Sequence, residues 1–150
     1  MLHIALWEPE IPPNTGNIAR LCAATGTRLH LIGKLGFRID DAAVRRAGLD
    51  YWPHVDLVQH ATWHEFAAVV PGPHWLIDNP APRRYTEATF RDGDVLVFGK
   101  ETTGLPEELR TARAERLLSI PMPTGKVRSL NLATSAGIVL YEAYRQIGFG

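Results

Sequence analysis

The fold this sequence predicts is an α/β domain with a mainly parallel sheet flanked by helices, and three observations carry it. Short apolar runs alternate with longer stretches of helical periodicity from one end to the other. The run at 94–98 (DVLVF) has the apolar continuity of a strand covered on both faces. The 150 residues, 45% apolar and 21% charged, suffice for one sizeable core, so residues 1–150 read as a single domain without an internal repeat.

Residues 2–7 (LHIALW) read as the first strand, halted by Pro9, Pro12 and Pro13. Asn14 and Thr15 offer N-caps for a helix to Thr25, with Gly26 as its stop. Its buried stripe is Ile18, Leu21, Cys22 and Thr25, while Asn17 and Arg20 share another side. Residues 28–32 are the second strand and 33–37 a loop. Asp40 and Asp41 open a helix through Arg45 and Arg46 to Gly48. Residues 54–58 form a short strand, and Thr62 with Glu65 has capping-box spacing for a helix through Phe66 to Val70. Another strand spans 75–78, followed by a loop carrying Pro80, Pro82, Arg83 and Arg84. The strand at 94–98 ends at Gly99, and residues 106–112 make a short helix with Pro106 first.

A last short strand (Leu117, Leu118, Ile120) stops at Pro121, and a basic loop with Lys126 and Arg128 follows. Ser129 and Asn131 are both natural caps for the final helix. That helix is apolar nearly all round: Leu132, Ala133, Ala136, Gly137, Val139, Leu140, Ala143 and Ile147. Such a helix is covered on more than one side. The domain core covers one side, and a second subunit the other, where Ala133, Ala136 and Gly137 let backbones approach; the alternative is a plain core helix.

Lys plus Arg equals Asp plus Glu at 16 each, which argues against a broadly basic nucleic-acid binder but not against a local patch. The single cysteine, Cys22, permits no internal disulfide and reads as a buried thiol. With neither signal peptide nor membrane span in the sequence, a cytoplasmic protein is expected. Three loops after strands, 8–20, 99–106 and 121–131, should converge at the carboxyl edge of the sheet. Gly99 and Gly104 there allow close backbone approach. Dinucleotide, P-loop and nucleophile-elbow fingerprints are missing. His60 and His64 have metal-ligand spacing without a third ligand, so they read as surface residues and no metal is expected.

The segments 8–26 (EPEIPPNTGNIARLCAATG), 45–52 (RRAGLDYW), 97–106 (VFGKETTGLP) and 119–146 together resemble the SPOUT superfamily of RNA methyltransferases. Within it, the chain is similar to small tRNA 2′-O-methyltransferases. The resemblance implies a C-terminal trefoil knot, a rare exception to unthreaded chains. It implies S-adenosylmethionine as methyl donor, held by Ile77, Gly99, Ile120, Ser129 and Leu130. Catalytic positions would be Asn14, Arg20, Glu101, Ser129 and Asn131. The acceptor would be the wobble ribose, of cytidine or modified uridine in leucine tRNAs, presented by the anticodon stem-loop to a homodimer joined through the C-terminal helix. An arginine stays protonated, so Arg20 suits a phosphate and a developing alkoxide better than a base's work. Two competing readings are a non-catalytic nucleotide- or RNA-binding module of this fold, and an oxidoreductase that the missing glycine fingerprint disfavours.

Overall fold

The computed structural model describes residues 1–39, Arg46 and residues 51–149. The helix expected from Asp40 to Gly48 therefore lies outside the described residues, apart from an exposed Arg46. The strands are β1 (His3–Trp7), β2 (Arg28–Ile32), β3 (Leu57–His60), β4 (His74–Ile77), β5 (Val95–Phe98) and β6 (Leu117–Leu118). Among the described residues the complete helices are α1 (Pro12–Thr25), α2 (Trp63–Val69), α3 (Glu107–Ala112) and α4 (Leu132–Ile147). All six strands lie parallel in the order β3-β2-β1-β5-β4-β6. The chain works outward from β1 in one direction and returns to β5, β4 and β6 on the other side. That reversal leaves a crevice beyond the carboxyl ends of β1 and β5.

Alternation along β1 assigns the two layers. Ile4 and Leu6 face Ile18, Ala19 and Cys22 of α1 and Ala136, Val139, Leu140 and Ala143 of α4. Ala5 joins Phe66, Val97, Leu105 and Leu109 on the opposite face, beneath α2 and α3. Central strands covered on both faces explain the unbroken apolar runs. Ala136 and Val139 are wholly buried in this core. Ala136 therefore does not belong to the open side of α4, where Ala133, Gly137 and Tyr141 lie less buried.

Several boundaries differ from expectation. The helix expected to start at Asn14 begins at Pro12 instead, with Ile11 as cap residue and no side-chain cap. Prolines pre-set for a first turn have replaced the polar cap, which frees the Asn14 side chain for other partners. Its far end is as expected: Gly26, at φ 69°, donates to the Cys22 carbonyl. The strand expected at 54–58 is a 3-10 turn (Trp52–His54) followed by β3. Thr62 does cap α2, accepting from the Glu65 N–H at 3.1 Å.

His60 is on β3 rather than a free surface histidine. Its Nε2 lies 3.0 Å from His30 Nδ1, and His30 Nε2 lies 2.9 Å from His3 Nδ1. His64 is exposed. Cys22 is buried as expected, and burial pushes its thiol up to about 12. Among the described residues, no helix is long and apolar enough to cross a membrane.

Candidate active site

A cleft of about 450 Å³ opens where the three expected loops meet. That volume lies within the range of small-molecule sites. The structure brings Asn14, Ile77, Gly99, Glu101, Ile120, Ser129, Leu130 and Asn131 together in its walls. Arg20 is not among the described residues that line it. Arg20 is exposed on α1, with its guanidinium carbon 4.7 Å from the centre of the Tyr51 ring.

Hydrogen bonds join the loops. Glu101 accepts from the backbone N–H groups of Glu10 (2.8 Å) and Ile11 (2.9 Å) and from the Asn14 amide (3.2 Å). The Asn14 oxygen accepts from the Asn131 amide at 3.0 Å, and the Asn131 oxygen accepts from the Thr134 N–H at 3.1 Å. Asn131 thus caps α4, while Ser129 stays exposed in the preceding loop. One relay, Glu101–Asn14–Asn131, ties together segments that are far apart in sequence. With both its oxygens engaged by three donors, Glu101 is committed to holding these loops.

Gly99 has a reason for being glycine that differs from close approach to a ligand. A Cβ there would lie 2.6 Å from the Gly104 Cα and nearer still to its carbonyl carbon and the Leu105 nitrogen. The loop folds back on itself, with Lys100 and Gly104 exchanging backbone bonds of 3.3 and 2.9 Å. Gly104, at φ 71°, packs on the Asp78 carboxylate.

Sequence reasoning missed the floor of the cleft. Asp78 accepts from the Asn79 N–H (3.0 Å), the Leu105 N–H (3.1 Å) and Arg110 Nη1 (3.0 Å). The Asn79 side chain donates to the Ile120 carbonyl at 3.1 Å and accepts from its N–H at 3.4 Å. One residue earlier, the Ser119 N–H donates to the Arg83 carbonyl at 2.8 Å. Two polar residues directly after β4 were the available signal, by the same carboxyl-edge rule that selected the other loops. Arg110, on a short amphipathic helix, offered none.

Fold and cleft together define a class: a parallel α/β protein that takes a small ligand at the point where its strand order reverses. The chain belongs to the SpoU rRNA Methylase family, whose sequence profile matches residues 1–141. It is 47% identical over 151 residues to the tRNA (cytidine(34)-2′-O)-methyltransferase of Methylovorus glucosotrophus, covering 99% of this chain and 97% of that one. The protein of the same name from Saccharophagus degradans is 48% identical, with the same coverage. A solved structure described as giving insight into 2-OH methylation of C/U34 on tRNA superposes with TM-score 0.92 at 51% identity, over 97% of this chain and 95% of that one. The SpoU methyltransferase AviRb from Streptomyces viridochromogenes, in complex with the cofactor AdoMet, superposes with TM-score 0.81 at 28% identity, over 97% of this chain and 60% of that one.

Proposed function

We propose that the protein is an S-adenosylmethionine-dependent tRNA 2′-O-methyltransferase acting on the ribose of nucleotide 34. The carrying observation is near full-length identity of 47–48% with enzymes of that name. The cleft fits the donor. Ile77, Ile120 and Leu130 give an apolar wall suited to an adenine ring, and Thr102, Ser129 and Ser135 give a polar rim suited to ribose and amino-acid groups. Among the described residues, no group of three or more His, Cys, Asp or Glu side chains could hold a metal.

The bound donor supplies an activated methyl on a sulfonium leaving group. The protein's part is alignment and handling of the hydroxyl proton. Asn14 and Asn131, joined to each other in the cleft wall, orient the acceptor ribose in this reading. Arg20 grips an RNA phosphate and stabilises the developing alkoxide, and the proton leaves through water or a phosphate oxygen.

Because Arg20 lies outside its own cleft, that role belongs with a homodimer, in which the α1 of one protomer faces the cleft of its partner. The open side of α4 supports this reading. Tyr141 is 47% exposed, and a Cβ at Gly137 would meet nothing within 4 Å. The trefoil knot belongs to the same reading, supported by the bonds holding residues 118–120 against 78–79 and 83–85. So do a single domain over 1–150 and a cytoplasmic location.

The test is transfer of labelled methyl to tRNA carrying C34, with the product mapped by nuclease digestion. Label at the 2′-oxygen of nucleotide 34 is expected. Label on a base, or no transfer to any tRNA of the native organism, overturns the assignment.

A further inference from the structure

We infer that Glu10 is a positioning residue for methyl transfer, holding the acceptor-side loop at residues 8–14 against the donor-side loop at 99–104 through Thr102. This deepens the proposed function and rests on it.

The Glu10 carboxylate accepts from both the Thr102 N–H at 3.1 Å and the Thr102 hydroxyl at 2.7 Å. The neighbouring Glu101 answers in the opposite sense, accepting from the N–H groups of Glu10 and Ile11. Each loop thus lends a carboxylate to the backbone of the other, as a capping box does within one helix. Beside them, Lys100 Nζ lies 3.0 Å from Glu8 Oε1. Residues 8, 10 and 11 therefore engage 100, 101 and 102 across a single seam, and opposed bonds of this kind resist sliding in either direction. The two bonds from Thr102 hold the Glu10 carboxyl below the usual carboxylate range.

What the seam connects gives it a role in the reaction. Ile11 and Asn14 form the cleft wall on one side of it, and the loop from Gly99 to Gly104 forms the wall on the other. Glu10 is not among the described residues lining the cleft, so it acts through its neighbours. Loosening the seam lets acceptor and donor walls drift relative to each other. A misplacement of about 1 Å can cost on the order of a hundredfold in rate. Since Glu101 still holds the seam when Glu10 is lost, roughly tenfold is expected.

The experiment uses the full chain as wild type, Glu10→Ala, Thr102→Val and the double variant. Three readouts are single-turnover methylation of tRNA at saturating S-adenosylmethionine, calorimetric affinity for S-adenosylhomocysteine, and the melting temperature. Glu10→Ala should lose about tenfold in rate, with product affinity changed by no more than about threefold. In the Glu10→Ala background, Thr102→Val should cost less rate than it does alone, because Glu10→Ala has already removed the hydroxyl contact that Thr102→Val deletes. A Glu10→Ala rate close to wild type overturns the inference, as does an affinity that falls in step with the rate, or multiplicative losses in the double variant. Should the wild type transfer no methyl, the enzyme reading fails by itself, and the amide exchange of Thr102 then decides the seam. Faster exchange in Glu10→Ala supports it, and unchanged exchange overturns it.

Discussion

Asp78→Ala is the sharpest test of how the cleft is built. Asp78 is the acceptor for two backbone N–H groups and for Arg110, and the two side chains of that ion pair are only 17% and 18% exposed. Truncation leaves the Leu105 N–H and the Asn79 N–H without this acceptor, and Arg110 Nη1 with only its long bond to the Asn79 carbonyl. An unmet buried donor costs about 1–3 kcal/mol, and breaking a buried ion pair about 3–5 kcal/mol. Arg110 keeps bonds to the Asn79 and Pro80 carbonyls at 3.4 and 2.7 Å, and water reaches part of the pair, so the lower end applies. The expected loss is about 3 kcal/mol. In a chain of this size that lowers Tm by roughly 6–12 °C. Urea unfolding should show the same loss as a shifted midpoint at unchanged slope. Asp78→Asn, which keeps one acceptor oxygen, should lose about half as much. S-adenosylmethionine affinity should fall with Asp78→Ala as well, because the loop at 99–105 loses its anchor beneath the cleft. A loss below about 1 kcal/mol would refute the claim that Asp78 organises the floor.

The remaining expectations concern other parts of the molecule. Gly99→Ala drives a methyl into the backbone of Gly104 and Leu105, so donor binding measured by calorimetry should collapse and stability fall by about 1–3 kcal/mol; a folded variant with wild-type affinity would contradict this. Burial, then the neighbouring imidazoles His3 and His60, push His30 down to about 3 from its ordinary 6.5. A lowered folded-state value makes that contribution complete above about pH 6.5 and lost as pH falls toward 3. Urea midpoints at pH 7.5 and 5 should therefore differ, and His30→Gln should flatten the dependence. Gly137→Glu, on the open side of α4, should turn a wild-type dimer into a folded monomer in sedimentation. Ala136→Glu should instead unfold the chain, because Ala136 is wholly buried in its own core.

The expected site residues were legible because strand, loop and helix signals are local. Apolar runs placed five of the six described strands within a residue or two. The rule that ligands gather at carboxyl ends of parallel strands selected three loops that do converge, and eight of the nine expected site residues meet in one cleft. Where local signals competed, the sequence misled. Asn14 has the chemistry of a cap, but Pro12 and Pro13 start the helix earlier, and its amide bonds Glu101 and Asn131 instead.

What the sequence by itself determined was the alternating α/β pattern, the buried Cys22, the apolar last helix and the loops that converge on the cleft. Each follows from periodicity or turn chemistry within a few residues. Only the tertiary structure decided that Gly99 is glycine for the sake of Gly104, that Asp78 in the floor pairs with Arg110, that Glu10 and Glu101 clasp opposite loops, and that Arg20 stands outside its own cleft. Those facts depend on pairs separated by up to 92 residues. Side-chain hydrogen bonds across such distances leave no periodic trace in the chain, because their geometry exists only once the sheet has set its strand order.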